Sequence, residues 1–130
     1  MKRHLLKSKI HRARVTGADI DYEGSIGISP DLIEASGLIP WEKVDIYDVT
    51  NGERFSTYVI VGNPGEICLN GAAARQVQKG DTVIIVAYAS INIEDAKDHE
   101  PTVVFVDEKN RIKELRKQKK PEKRATKTLY

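Results

Sequence analysis

The chain has little of what disulfide-linked, metal-binding or membrane-embedded proteins require. Cys68 is its only cysteine, so no internal disulfide can form, and this favours a cytoplasmic protein. The three histidines and Cys68 show no spacing typical of metal ligands, so we expect no metal site. The longest apolar run, residues 83–89, is far shorter than the ~18 residues that a membrane helix needs. The N-terminus also lacks the apolar stretch of a signal peptide, so a cytoplasmic location is expected.

Positive charge is concentrated at the C-terminal end. Residues 108–130 contain 10 of the 21 Lys and Arg residues but 3 of the 19 Asp and Glu residues. A basic run of this kind is more often a solvated, partly disordered end than a binding surface. A length of 130 residues fits one domain. We therefore expect one domain over residues 1–107 and a basic tail over 108–130, partly helical (108–118) or disordered.

The rest of the chain predicts a small, mainly β fold with two or three short helices. Turn signals separate about seven expected strands, which are residues 5–15, 25–28, 44–49, 54–61, 66–69, 82–89 and 102–106. Asn51-Gly52 between two apolar runs favours a hairpin, because both residues tolerate positive φ. Pro30 and Gly37 suit the start and end of a helix over 30–35. Many short strands in a small domain indicate a closed barrel or a sandwich.

Four separated segments are informative together. They are Lys-Ile-His-Arg-Ala at 9–13, Tyr-Glu-Gly-Ser-Ile at 22–26, Asn-Gly-Glu-Arg-Phe-Ser-Thr-Tyr at 51–58 and Asn-Gly-Ala-Ala-Ala at 70–74. In this order they resemble the pyruvoyl-dependent aspartate 1-decarboxylases, and the resemblance covers about residues 1–107. It implies a double-psi β-barrel, a homotetramer, and conversion of L-aspartate to β-alanine and CO₂ for pantothenate and coenzyme A synthesis.

The resemblance also implies a cofactor made from the chain itself. Members of this family cut their own backbone between Gly and Ser, which here separates residues 1–24 from 25–130. Ser25 then becomes a pyruvoyl group, which forms a Schiff base with the substrate amine. Gly24 suits the residue before the cut, because it has no Cβ to block the attacking hydroxyl. The sequence leaves open whether cutting is spontaneous or needs a maturation factor.

Further roles follow from the resemblance position by position. Tyr58 matches the proton donor, and Arg54 matches the residue that binds a substrate carboxylate. The implied substrate-binding residues are Lys9, Arg54, Thr57, Asn70, Gly71, Ala72 and Ala73. An arginine can clamp a carboxylate with two hydrogen bonds, and a phenol can act as a general acid. Strict preference for aspartate over related amino acids is left open.

Thr57 fits this scheme less simply than its neighbours. In a regular strand Arg54 and Tyr58 share one face, and Thr57 points to the other. Either a bulge or a strand end re-aims Thr57, which is the expected solution, or Thr57 contacts a different part of the site.

Two alternatives remain at this point. The first is a small β-barrel that regulates by binding nucleic acid, with the tail and an N-terminal basic arm as its binding surface. That arm would contain Lys2, Arg3, Lys7, Lys9, Arg12 and Arg14. The second is a family member that folds but never cuts itself. The enzyme reading is favoured, and it predicts no nucleic-acid partner.

Overall fold

A computed structural model describes residues 1–117 and shows a mainly β fold with nine strands. The strands are β1 (Lys2–Arg14), β2 (Gly17–Asp19), β3 (Ser25–Ile28), β4 (Lys43–Asp48), β5 (Arg54–Val61), β6 (Ile67–Asn70), β7 (Thr82–Asn92), β8 (Thr102–Val106) and β9 (Ile112–Lys117). The helices are α1 (Pro30–Ser36), a 3₁₀ helix (Gly71–Gln76) and α2 (Ile93–Ala96). The predicted mainly β class with short helices is confirmed, and β2 and β9 are additions to the predicted strands.

The strands form one sheet in the order β2-β6-β3-β5-β4-β7-β1-β8-β9. The pairs β1–β8, β2–β6 and β3–β5 are parallel, and the others are antiparallel. Thr16, which joins β1 to β2, donates its backbone N–H to the Ile67 carbonyl of β6 over 2.8 Å. The sheet therefore curls until the end of β1 meets β6. Complete closure and the double-psi topology stay predictions.

A single aliphatic core lies inside the curled sheet. Its fully buried larger side chains are Ile10, Ile26, Ile28, Leu32, Ile46, Ile67, Leu69 and Ile85. Each contributes about 1.5–3 kcal/mol by leaving water, so these residues dominate the stability of the fold. The core holds both flanks of the segment around Ser25, since Ile26 and Leu69 are paired across β3 and β6.

Strand β1 is central and carries two irregularities. Its register against β7 shifts between Leu6 and Ser8 and again between Ile10 and Ala13. Arg12 has a left-handed φ of 64° at the second shift, and this returns Ala13 to the core. Because β1 lies between β7 and β8, its basic residues belong to an interior strand and not to a free arm.

The predicted hairpin at Asn51-Gly52 is confirmed, but its loop is wider than a two-residue turn. Asp48 donates its N–H to the Glu53 carbonyl, and Gly52 donates to the Asp48 carbonyl, both over 2.9 Å. Gly52 takes the left-handed φ of 81° that the loop requires. The Asp48 carboxylate also accepts the N–H groups of Thr50 (2.8 Å) and Asn51 (3.1 Å). The loop is therefore organised around Asp48.

The predicted helix over 108–118 is wrong over Ile112–Lys117, because these residues form strand β9. Asp107 Oδ1 accepts the N–H groups of Lys109 (2.9 Å) and Arg111 (3.0 Å), which turns the chain back onto β8. Asn110 is buried with a left-handed φ of 61°, and its side chain bonds both backbone groups of Arg14. This anchor makes residues 112–117 an added strand. The rest of the tail lies outside the described residues.

Within residues 1–117, no three His, Cys, Asp or Glu side chains lie together in a group that could hold a metal ion. None of the helices in this range has the length and apolarity to cross a membrane.

Asp48 is a buried acid with an altered proton affinity. Burial first, and then the neighbouring Asp81 carboxyl, raise the pKa of Asp48 to about 6. Its Oδ2 is buried without a hydrogen-bond donor among the described residues. A proton on Oδ2 would remove the repulsion from Asp81, so the hairpin loop is most stable when Asp48 is neutral.

We predict that Asp48→Asn weakens the pH dependence of stability. The folded pKa exceeds the unfolded value, so the Asp48 contribution is complete below about pH 4 and is lost as the pH rises through 6. Asparagine keeps a side-chain oxygen that can accept the N–H groups of Thr50 and Asn51, and its side chain is neutral at every pH of the experiment. Thermal melts from about pH 4 to pH 8 should therefore show a smaller loss of Tm in this variant. Asp21→Asn, at an exposed carboxylate, is the control, and equal pH profiles for all three proteins would contradict the assignment.

Candidate active site

Ser25 begins β3 and is held by two hydrogen bonds. Its side chain is 1% exposed. The hydroxyl donates to the Glu23 carbonyl over 2.9 Å and accepts from Asn70 Nδ2 over 3.0 Å. Ser25 and Asn70 are direct partners in the antiparallel register of β3 and β6. The hydroxyl is therefore fixed next to the Gly24-Ser25 peptide bond.

Cys68 orients the Asn70 amide. Its thiol donates to Asn70 Oδ1 over 3.4 Å, which leaves the amide nitrogen facing Ser25. Burial, then the carboxylates of Glu66 and Asp19, raise the pKa of the Cys68 thiol, so it stays protonated and able to donate. Cys68 is not among the site residues that the sequence predicts. Its i, i+2 spacing from Asn70 on a strand, which puts both on one face, was the available signal.

Gly71 packs backbone against backbone on Gly24. A Cβ at position 71 would lie 2.6 Å from the Gly24 Cα and 2.7 Å from the Gly24 nitrogen. Gly71 also has a left-handed φ of 66° as the chain leaves β6 for the 3₁₀ helix. Both conditions require glycine at this position.

A cavity of about 410 Å³ opens beside Gly24. It is lined by Gly24, Phe55, Ser56, Thr57, Tyr58, Ala72, Ala73 and Gln76. Strand β5 pairs with β3 only from Val59 onward, so its preceding residues present an unpaired edge towards Gly24. The cavity falls within the ~300–1,000 Å³ range of small-molecule sites. It brings together the Gly24 side of the proposed cut, Tyr58, Thr57, Ala72 and Ala73.

Thr57 reaches the cavity without a bulge. The register of β4 and β5 is unbroken through Val44–Thr57 and Lys43–Tyr58. A bulge is therefore not what brings Thr57 to the cavity. Because the cavity opens at the edge of β5, residues on both faces of the strand border it, and Thr57 and Tyr58 line it together.

Tyr58 is half-buried at the cavity, and its ring packs against another aromatic side chain. Its ring stacks on the Trp41 indole, with 5.4 Å between ring centroids and 30° between planes. Offset aromatic stacks of this kind hold two rings in a fixed relative position.

Arg54 and Lys9 do not line this cavity within one chain. The Arg54 guanidinium lies 4.2 Å from the centre of the Tyr47 ring, at a separate depression that also contains Asp45. Lys9 is three strands away from Ser56, through the pairs Lys9–Val86, Val86–Asp45 and Asp45–Ser56. At ~4.8 Å per strand this is about 14 Å, beyond the reach of a lysine side chain.

Tyr47 connects the Arg54 depression to the neighbouring strand. Its hydroxyl is 2.9 Å from the Tyr88 hydroxyl. This hydrogen bond, followed by burial, raises the pKa of Tyr88 to about 12, so Tyr88 stays neutral under ordinary conditions. Arg54 therefore rests on a tyrosine ring that is held by a hydrogen bond to its neighbour, and it forms no salt bridge among residues 1–117.

Comparison with known proteins agrees with this geometry. The sequence profile of aspartate decarboxylases matches residues 1–113. The chain belongs to the aspartate decarboxylase family. The resemblance drawn from the motifs is thereby confirmed, and it extends beyond residue 107 into β9.

Individual relatives match over most of their length. A protein named aspartate 1-decarboxylase from Bdellovibrio bacteriovorus is 66% identical over 114 residues, which are 88% of this chain and 92% of the relative. One of the same name from Syntrophus aciditrophicus is 63% identical and covers 87% and 99%. A third, from a Hydrogenobaculum species, is 56% identical and covers 90% and 94%.

We predict that Gly71→Ala is more damaging than Gly37→Ala. Both substitutions place a Cβ on a left-handed backbone, at φ 66° and 75°, which costs about 1–2 kcal/mol. Only Gly71→Ala also drives that carbon into Gly24, because nothing lies within 4 Å of a Cβ at Gly37. Differential scanning calorimetry should show the lower Tm for Gly71→Ala, and equal losses would show that the backbone contact is not tight.

Proposed function

We propose that this protein decarboxylates L-aspartate to β-alanine and CO₂, the reaction named by its relatives, and supplies β-alanine for pantothenate and coenzyme A synthesis. The observation that carries the proposal is the Ser25 hydroxyl, fixed beside the Gly24 peptide and next to a small cavity that contains Tyr58. The family membership supports the same reaction. A cytoplasmic location is part of the proposal.

Self-cleavage is the first step of the proposed chemistry. The Ser25 oxygen attacks the Gly24 carbonyl carbon, a C–O bond forms, and the C–N bond breaks to give an ester and a free amine. Loss of the Ser25 α-proton then expels the Gly24 carboxylate and leaves dehydroalanine. Water replaces the nitrogen, which departs as ammonia, and a pyruvoyl group remains at residue 25. Asn70, already bonded to the hydroxyl, can donate to the oxyanion that develops in the attack.

The residues present fit a pyruvoyl group at position 25. Ser25 is buried at the start of β3, so a group made from it is fixed by the pairing of Ile26 with both β5 and β6. The small residues Ala72 and Ala73 leave space beside it. When present, the group supplies a carbonyl that accepts the electron pair released with CO₂.

The remaining cavity residues bind and protonate. Tyr58 holds a phenolic proton at the cavity and gives it to the carbon that loses CO₂. Thr57 and the backbone of Gly71, Ala72 and Ala73 contact the substrate. Asn70 is only 5% exposed and already bonded to Ser25, so its role is directed to that hydroxyl and not to free substrate.

We assign recognition of the substrate carboxylates to Arg54 and Lys9 of a neighbouring subunit in the assembled protein. Aspartate has two carboxylates, and the cavity of one chain has no cation in its lining. Arg54 is exposed above the Tyr47 ring, so its guanidinium is available to a neighbouring subunit. The proposal therefore includes the homotetramer, with Arg54 and Lys9 completing the site of another copy.

We predict that the purified protein consists of residues 1–24 and 25–130. Denaturing mass spectrometry should give two fragments whose summed mass equals the precursor plus one water minus one ammonia. Ser25→Ala should stay uncut and form no β-alanine from L-aspartate, because the attack and the elimination need the oxygen. Native mass spectrometry of the same sample should give four copies.

The control for this experiment is Ser36→Ala, at another buried serine. It should be cut and active like the unaltered protein. An uncut Ser25 chain that decarboxylates aspartate would overturn the pyruvoyl mechanism. An uncut, inactive chain that matures on addition of cell extract would instead identify a need for a maturation factor.

We predict that Tyr58→Phe is cut normally but turns over slowly. The phenol acts only after CO₂ leaves, so loss of this general acid should lower kcat by about 10²–10⁴-fold. The matched control is Tyr130→Phe, which removes a tyrosine hydroxyl at the end of the basic tail. A stopped assay for β-alanine, normalised to the cut fraction, measures the effect. Unchanged kcat would remove Tyr58 from the role of proton donor.

A further inference from the structure

Trp41 has an unusual conformation for its residue type. It is the only tryptophan of the chain, its side chain is 75% exposed, and its backbone has a left-handed φ of 75°. A left-handed backbone is rare for a bulky residue and costs stability. A ring that is mostly exposed gains little by burial, so the core does not explain this conformation.

The backbone around Trp41 is fastened to β5 next to Tyr58. Trp41 donates its N–H to the Val59 carbonyl over 2.8 Å, and Val59 donates to the Glu42 carbonyl over 3.0 Å. The Glu42 carboxylate in turn accepts a hydrogen bond from the Ile39 N–H over 3.1 Å. It also forms a salt bridge with Lys7, with 2.6 Å between the charged atoms. These contacts impose the left-handed conformation at position 41.

The consequence of this conformation is the stack on Tyr58. With the backbone held at Val59, the indole lies on the phenol ring at 5.4 Å and 30°. Tyr58 itself lines the cavity beside Gly24, whereas Trp41 does not. The indole thus covers the tyrosine from outside the substrate space.

We propose that Trp41 is a positioning residue for the decarboxylation step: its indole fixes the Tyr58 ring so that the phenol is held towards the cavity. The proposal rests on the role of Tyr58 proposed above. Trp41 touches neither the substrate space nor Ser25, so it acts on proton delivery and not on self-cleavage.

Two substitutions separate the ring from the backbone. Trp41→Asn removes the ring but tolerates left-handed φ, and Trp41→Phe keeps an aromatic ring. Trp41→Asn should be cut to completion, with kcat lowered about two- to ten-fold, the range that aromatic stacks are worth, and with a smaller change in KM. Trp41→Phe should recover most of the lost rate.

A double-mutant cycle gives the decisive comparison. If Trp41 acts through the phenol, Trp41→Asn should have no effect on the residual rate of Tyr58→Phe. An equal fold-loss in both backgrounds, or wild-type kcat in Trp41→Asn, would overturn the proposal. A changed native mass for Trp41→Asn would also overturn it, since Trp41 would then be an assembly contact.

The single tryptophan supplies a readout that does not depend on turnover. Succinate, a dicarboxylate without an amine, should change the indole emission of the mature enzyme as it fills the cavity beside Tyr58. The change should be reduced in Tyr58→Phe, and an equal change there would count against coupling through the phenol. Failure of the proposed function is distinguishable, because the unaltered chain itself would then stay uncut or release no CO₂.

Discussion

The contact of Gly24 with Gly71 is the constraint on which the site depends. Two backbones without side chains meet there, and the Cα of Gly24 occupies the space that a Cβ of residue 71 would take. The contact sets the start of β3 against the start of the 3₁₀ helix, so Ser25 falls opposite Asn70. The same arrangement places Ala72 and Ala73 beside the edge of β5. The Gly24 backbone thereby borders the cavity, while the neighbouring Ser25 stays buried.

The groups proposed for self-cleavage and the cations proposed for carboxylate binding lie in different parts of the sheet. Ser25 and Asn70, which act on the backbone in the proposed chemistry, are buried between β3 and β6, and Cys68 beside them is half-buried. The cations proposed to recognise carboxylates are Lys9, on the distant strand β1, and Arg54, at an exposed position that begins β5. Keeping lysine and arginine away from the buried hydroxyl avoids the desolvation of a charge in the core. In the proposed assembly those charges come from another subunit, at the surface.

Local sequence signals predicted the parts of the structure that depend on local chemistry. The hairpin at Asn51-Gly52 and the short strand at Ser25 followed from turn residues and apolar alternation. Strand β9 did not, because its apolar residues Ile112 and Leu115 have helical spacing, and the buried Asn110 that returns the chain to β8 is a tertiary contact. The stack of Trp41 on Tyr58 and the path by which Thr57 reaches the cavity also depend on strands that are distant in sequence. In the proposed assembly, the positions of Arg54 and Lys9 relative to the cavity depend on how chains associate, which no local pattern encodes.

The central place of β1 has a consequence for the cut protein. Residues 1–24 contain the whole of β1, which is an interior strand of the sheet, between β7 and β8. A cut after Gly24 would therefore leave two peptides that share one core and cannot separate without unfolding. Melting of each mature protomer would then include the dissociation of its two peptides, so cutting would add a dependence of the midpoint on protein concentration to any that subunit assembly causes. Maturation in this fold would convert a unimolecular folding equilibrium into a bimolecular one.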